Sequence, residues 1–496
     1  MAASHAMSKL ERLFARLNAI DESLGILHWD MATMMPVGGA ESRAGQLAIL
    51  KSLHHELLTA PEVPDLLAAA EGETLDGWQR ANLAEMRRDW IHAAAVPAQL
   101  VEDLSRAGSA CEMVWRKARP ASDFAAVKPA LAEVLRLTRE VAEVKSQALG
   151  VGLYDALLDQ YEPGGSSAVI DAVFADLGRF LPGFLAEVLA RQPPAPQGPQ
   201  GPFPADRQKA LALRMMTVLG FDFEHGRLDI SQHPFCGGTP DDVRITTRYD
   251  DEDFMRSLLG VVHETGHALY ERGLPEQWRG QPVGRARGMG VHESQSLLME
   301  MQACRSREFL SFAAPLMAEA FGAAGQPGWD AETLRAVNVR VTPGFIRVDA
   351  DEVSYPAHVI LRYRLEKALI AGEMQVDDIP SAWNEGFAEL LGLTPPDDRQ
   401  GCLQDIHWYD GAFGYFPTYT LGAMTAAQLF DAARRAVPGL LDSIGQGDFA
   451  PLLGWLRVNV HGHASHLSSA ELLTRATGRP LDAQVFKDHL RVRYLG

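Results

Sequence analysis

Cysteine is scarce in this chain: Cys111, Cys236, Cys304 and Cys402 are the four it has, and each lies far from the others. Without a Cys-x-x-Cys pair there is no thiolate zinc knuckle and no dithiol redox motif, so they read as isolated thiols. Positive charge is also in deficit. With 46 Lys and Arg against 64 Asp and Glu, the formal charge is -18. That excludes a sequence-independent nucleic-acid binder, which needs a basic face to displace counterions from phosphate. No apolar run reaches the roughly eighteen residues that a membrane-spanning helix requires. The start of the chain lacks a basic segment followed by an apolar stretch and a cleavage site. The expectation is a cytoplasmic protein with neither nucleic-acid nor membrane partners. No internal repeat of fixed period is present.

What is there is an ordinary globular composition, 47% hydrophobic and 22% charged over 496 residues, enough to bury a large core. Length alone suggests about two to four domains. The opening MAASHAM, Met1 to Met7, sits oddly before the helical SKLERLFARLNAI and reads as an expression scar outside the fold. From Ser8 to about Leu189 the pattern is repeatedly helical. SKLERLFARLNAI, RAGQLAILKSLHHELL, LDGWQRANLAEMRRDWIHAAAV and VKPALAEVLRLTREVAEVKSQAL all place apolar residues three and four apart. Such stripes must be buried against one another or against the rest of the chain, so a large helical assembly is expected. QPPAPQGPQGPFPADR, Gln192 to Arg207, interrupts it as a loop, since its prolines remove donors and fix φ. We therefore expect an N-terminal helical region over 8–191 and a catalytic helical region over 205–496, joined as one continuous unit. DVRITTRYD, from Asp242, reads as a short strand by its β-branched alternation, and Glu252 to Arg272 as a helix stopped by Gly273.

On that helix lies VVHETGHALYE. His263 and His267, four apart, share a face and can bind one ion, while Glu264 is turned about 100° away and is free to work on water. Chance would give this H-E-x-x-H pattern in roughly three such chains per hundred. A catalytic zinc takes three protein ligands and keeps a position for water, so a third partner is needed. Glu271, Glu276, Glu293 and Glu300 follow. Glu271 could share the face of His267, but three ligands along one straight helix cannot readily surround an ion. Glu293 and Glu300 lie on a later helical stretch, reached through the Gly-rich GQPVGRARGMG, that could cross the first; Glu293 is preferred and Glu300 is kept as the alternative.

Five further stretches carry a resemblance: HPF at His233 to Phe235, DVRIT from Asp242, HESQ from His292, IRVDAD from Ile346 and GCLQDIHW from Gly401. With the N-terminal LHWDMATMMPVGGAESRAGQLAIL, they make the chain similar to the M32 family of metallocarboxypeptidases, related to carboxypeptidase Taq, over nearly its whole length. The resemblance implies a mainly α, saddle-like or clamshell assembly with a deep groove and a small β-sheet near the metal. It further implies one divalent metal per chain, zinc or cobalt, a homodimer, and removal of single amino acids from peptide C-termini. It assigns Glu293 as the third ligand, brings in Gln404 through its motif, and gives His233 a substrate contact.

The chemistry then expected is hydrolysis with Glu264 as general base, because a divalent ion lowers the pKa of bound water from about 15.7 toward 7. The negative charge that develops on the carbonyl oxygen needs a donor. In the wider group of peptidases with this groove, a histidine and a later tyrosine serve, and His407 with Tyr419 is the similar pair here, with Tyr415 in reserve. A terminal carboxylate suits a guanidinium fork. Arg347 is the preferred anchor, and Arg244 is given a groove-closing role. Asp242, Arg244 and Thr246 share one strand face and could all enter the groove, while the strand itself could align substrate by backbone pairing.

Duller readings stand beside these. Arg244 and Asp242 could be an ion pair on an edge strand. Asp349 and Asp351 could orient Arg347 or a ligating histidine. The HGHASH run, His461 to His466, is read as a solvated loop or helix start, and the adjacent His54 and His55 point different ways on a helix. Two alternatives to a carboxypeptidase remain: an oligopeptidase or dipeptidyl carboxypeptidase of the same architecture, or a non-catalytic peptide-binding protein.

Overall fold

The computed structural model describes residues 5–496, so Met1 to Ser4 of the supposed scar lie outside the described residues. Met7 is no scar. It sits in the first helix, Ala6–Thr33, only 2% exposed in a small core with Leu10, Phe14 and Leu67.

Twenty α-helices and one three-stranded sheet make up the described residues. Local chemistry sets many helix starts: Asp76 and Gln79 form a reciprocal capping box at Gly77–Ala94, and Asp123, Asp253 and Asp330 each accept a backbone N–H in the first turn they cap. The proline-rich stretch leaves residues 192–204 without helix, and Ala205–Leu219 begins immediately after it. The largest core draws on both sides of that stretch, with Leu131, Phe174 and Leu181 packed in one cluster with Ile360, Trp383 and Phe413.

The sheet has the order β1 (Gly226–Ile230), β3 (Asp242–Thr247), β2 (Cys236–Thr239), with β1 parallel and β2 antiparallel to β3. This corrects the expectation for DVRIT. The strand is central, its hydrogen-bonding edges taken by Gly226 to Ile230 on one side and Cys236 to Thr239 on the other. It cannot add a substrate strand, and the Asp242–Arg244 ion pair that it does carry lies on a central strand, not an edge one. β2 is an outer strand of the sheet and follows the cavity-lining Pro234.

The helix Phe254–Arg272, called the motif helix here, lies against a second helix, Met289–Leu297, the crossing helix. Gly266 is what lets them meet: a Cβ there would stand 2.5 Å from the Gln295 carbonyl oxygen and 2.6 Å from the Ser296 Cα. On its other side the crossing helix meets Pro417–Ala436, where a Cβ on Gly422 would fall 2.8 Å from Cβ and Cγ of Glu293. Two glycines therefore set how deeply Glu293 is held. Gly266→Ala should force backbone apart rather than a flexible side chain, with a stability loss of about 1–3 kcal/mol typical of overpacking. A denaturant melt with an unchanged midpoint would contradict this account of the helix contact. Beyond Leu297 the helix continues as a π turn, Leu298–Ala303, which carries Glu300.

Candidate metal centre and substrate cavity

His263, His267 and Glu293 each offer a ligand atom, and these atoms lie within 4.8 Å of one another. The Glu293 Oε2 is 3.4 Å from His267 Nε2 and 3.8 Å from His263 Nε2. Donors at about 2.0–2.2 Å from a tetrahedral ion stand roughly 3.3–3.6 Å apart, so small shifts would close this set on a cation.

The other ring nitrogens are already engaged. His263 Nδ1 is 3.0 Å from Glu300 Oε2, and Glu300 is in turn held by Arg305 at 2.7 Å. His267 Nδ1 is 2.6 Å from His292 Nδ1, whose Nε2 lies 2.8 Å from Glu271 Oε1. A carboxylate only accepts, so a neutral His292 donates from Nε2 to Glu271, accepts at Nδ1, and obliges His267 to donate from Nδ1. By the same reasoning Glu300 takes the Nδ1 proton of a neutral His263. Both tautomers leave an Nε2 lone pair aimed at Glu293, the arrangement that second-sphere carboxylates impose on metal-binding imidazoles. Glu300 and Glu271 are thus holders of histidines, and Glu276, on a separate turn, is outside the set.

The electrostatics suit a cation. Burial favours a neutral Glu293, but His263 and His267 overcome it and hold the carboxyl down at about 2. His267 is pulled down to about 4, chiefly by burial. Burial would also neutralise His263, yet Glu293, Glu300 and Glu264 push it up to about 10. A metal arriving here would displace that proton. Glu264, beside the ligand set but not in it, is raised to about 7 by burial, with His263 opposing.

His263, Glu264 and Glu293 line a cavity of about 830 Å³ together with Glu300, Arg347, Tyr355 and Tyr419. Arg347 is 6% exposed. Its Nε and Nη2 both donate to Asp405 Oδ1, at 3.0 and 2.9 Å, and its Nη1 donates to the Tyr355 hydroxyl at 3.2 Å. The guanidinium lies 4.8 Å from the Tyr419 ring centroid. Asp405 is shared: its Oδ2 accepts from Nε of the fully buried Arg362 at 2.7 Å.

Several expected residues sit elsewhere. His407 stands behind Tyr419, 3.4 Å from its hydroxyl and not on the cavity wall, and the Tyr415 ring packs edge-on against Tyr419 at 5.1 Å. Gln404 is buried. Its amide donates to the carbonyls of Phe345, Gln400 and Gly401 and its oxygen accepts from Arg347 N–H, so it fixes the backbone that presents Arg347 and does not face the groove. Thr246 is fully buried, bonded to Ser231 and to the Phe235 N–H, and so holds the turn before β2 instead of entering the groove. His233 is exposed on that turn while its neighbour Pro234 lines the cavity.

Neither Asp349 nor Asp351 orients Arg347. Asp349 pairs with Arg256 at 2.7 Å, and Asp351 accepts backbone N–H groups of Thr342, Val353 and Ser354. Arg244 is clamped by Asp242 through three bonds of 2.6 to 3.1 Å and stacks 4.2 Å from the ring of Trp29 on the first helix. His461 is no solvated loop residue. It is 1% exposed, packed under Gly273 at the end of the motif helix and 3.1 Å from Gln295 Oε1. Asp405, Tyr355 and the His292–Glu271 pair were not assigned from the sequence, although HESQ contains His292 and GCLQDIHW contains Asp405.

A family model described as Carboxypeptidase Taq (M32) metallopeptidase matches residues 9–494. Thermostable carboxypeptidase 1 of Thermus thermophilus is 40% identical over 495 residues, covering 97% of each chain. Among solved structures, metallocarboxypeptidase 1 of Trypanosoma cruzi superposes with a TM-score of 0.97 at 42% identity, covering 99% of both chains. An M32 carboxypeptidase from Deinococcus radiodurans R1 does so with a TM-score of 0.94 at 35% identity, again over 99% of both.

Proposed function

The chain belongs to the carboxypeptidase Taq (M32) metallopeptidase family and is a metallocarboxypeptidase; from that footing we propose that it releases single residues from peptide C-termini at the cavity just described. The observation that carries this reading is that two of the three converging metal donors, His263 and Glu293, line one cavity with Arg347, and the third, His267, stands directly behind them. A carboxylate anchor within the same cavity as the reacting centre selects the end of a chain over its interior.

His263, His267 and Glu293 would hold the divalent ion, zinc or cobalt, both of which suit two imidazoles and a carboxylate. When bound, the ion supplies Lewis-acid polarisation of water and of the scissile carbonyl. The chain's own groups do the rest. Glu264 takes the proton from the attacking water and passes it to the departing amine, a role suited to a buried carboxyl whose pKa is raised to about 7. The Tyr419 hydroxyl, backed by His407, donates to the oxygen that gains charge. Arg347, held flat by Asp405, binds the terminal carboxylate with Nη1 and its Tyr355 partner.

In this reading Glu300 and Glu271 govern metal affinity through the rings they hold. Glu300→Gln should weaken metal binding about 10–100-fold, the usual cost of losing such a partner, read by equilibrium dialysis. Retention of wild-type affinity would remove Glu300 from that role. Residues 8–191 and 205–496 are read as one working unit, consistent with their shared core. The family resemblance supports a homodimer. Four free cysteines suit a cytoplasmic setting.

The test is digestion of an N-terminally blocked peptide several residues long, followed by mass spectrometry. Stepwise loss of single C-terminal residues is expected. Release of dipeptides, or internal cuts, would replace this reading with a dipeptidyl carboxypeptidase or oligopeptidase, and no cleavage by metal-loaded protein would favour a peptide-binding role.

A further inference from the structure

A second cavity, of about 470 Å³, lies among the N-terminal helices and has no part in the chemistry above. Its walls come from Ala6–Thr33, Ala40–Leu58, Gly77–Ala94 and Phe124–Leu149, with Arg285 reaching in from the loop before the crossing helix. Phe14, Leu17 and Leu58 give the cavity an apolar lining. The rest of the lining is densely charged, and nearly every charge there is matched. Asp21 faces His54 and Arg285, each at 3.4 Å. Asp89 faces Arg285 at 2.9 Å and Arg88 at 3.6 Å. Asp159, behind them, faces His92 at 2.7 Å and Arg88 at 3.7 Å.

Lys145 is the exception. It lines the cavity, is 5% exposed, and among the described residues has neither an ion-pair nor a hydrogen-bond partner. The other lysine buried to a similar degree, Lys487 at 7%, bonds to Asp176 at 2.6 Å. Its stem is buried, but its Nζ is not among the fully enclosed side-chain atoms that lack a partner, so the ammonium opens into the cavity, where an unpaired and partly desolvated charge favours an anion. Burial accordingly pulls the Lys145 pKa down to about 8, against the pull of Asp159. An unmatched donor of this kind, at the wall of a cavity whose carboxylates are already occupied, is completed by an incoming anion; the apolar lining of the same cavity suits an anion with a hydrocarbon body.

We propose that Lys145 and this cavity form a second binding site, separate from the peptidase centre, for a small molecule bearing one carboxylate on an apolar body. The carboxylate accepts from the Lys145 ammonium, and the hydrocarbon part lies against Phe14, Leu17 and Leu58. Free apolar amino acids and simple branched-chain acids share this chemistry.

The test uses metal-loaded protein, with 4-methylpentanoate as the probe and the uncharged 4-methylpentanamide as its control. Lys145 acetylation by acetic anhydride is followed by peptide mass spectrometry, which reads this lysine apart from any binding at the peptidase centre. At a probe concentration ten times its dissociation constant, acetylation of Lys145 should slow about tenfold, as the unliganded fraction falls, and the amide should not protect. Calorimetry on Lys145→Met should lack one binding event that wild type has, while peptide hydrolysis is unchanged. Equal acetylation with and without the carboxylate, equal protection by the amide, or an unaltered isotherm for the folded variant would overturn the proposal.

Discussion

Glu264→Gln should lower kcat by about 10²–10⁴-fold, the range associated with a positioned general base, and should leave metal content at the wild-type level. The two halves of this result follow from different facts. Glu264 is adjacent in sequence to His263 yet outside the converging donor set, so an isosteric amide removes no ligand. Its carboxyl lines the cavity and has a pKa raised by burial to about 7, which places it where a proton can be both taken and returned. The amide cannot take a proton at all. Metal analysis beside steady-state kinetics separates the possibilities. A variant with full turnover would exclude Glu264 as the base, and a variant that lost its metal would make it part of the binding set.

Asp405→Ala should have the largest effect on stability. Asp405 stands between two buried guanidinium groups, Arg347 and the fully buried Arg362, and accepts from both. Deleting one member of a buried charged group leaves the others uncompensated, at a cost of about 3–5 kcal/mol. Burial alone would raise the Asp405 pKa, but Arg362 and Arg347 hold it well below the usual carboxylate range. A carboxyl depressed on folding stabilises the native state above its unfolded value, near 3.9, and that contribution is lost as pH falls through the lower native value. The wild type should therefore lose this contribution in acid, whereas the variant lacks it at neutral pH. Because Arg347 would also lose its rigid seat, kcat/KM for peptides with a free C-terminus should fall more than that for the same peptides amidated at the C-terminus. Equal losses for both would argue against Arg347 as the carboxylate anchor.

Much of the candidate site could be read in advance because its candidate ligands lie in recognisable motifs. His263 and His267 share a face at a spacing of four, and Glu293 belongs to a motif on the crossing helix. What could not be read depends on contacts between elements remote in sequence. Asp405 meets Arg347 from 58 residues away, and Glu271 reaches His267 only through His292. DVRIT illustrates the converse. Alternation correctly marked a strand, but alternation is blind to neighbours, and β1 and β2 close both of its edges. Thr246 and Gln404 were misread for a related reason: a polar side chain in a motif can serve the backbone that carries the site instead of the ligand it binds.

The seating of Trp29 has a mechanical consequence. The first helix touches the sheet through the indole, which lies over both Arg244 and Arg227, and through Gly25, where a Cβ would come within 3.3 Å of the Gly238 carbonyl oxygen. Any rigid-body rocking of the amino-terminal helices must therefore either drag the sheet along or shear the indole off the two guanidinium groups it covers. A probe on the indole would register which of the two occurs.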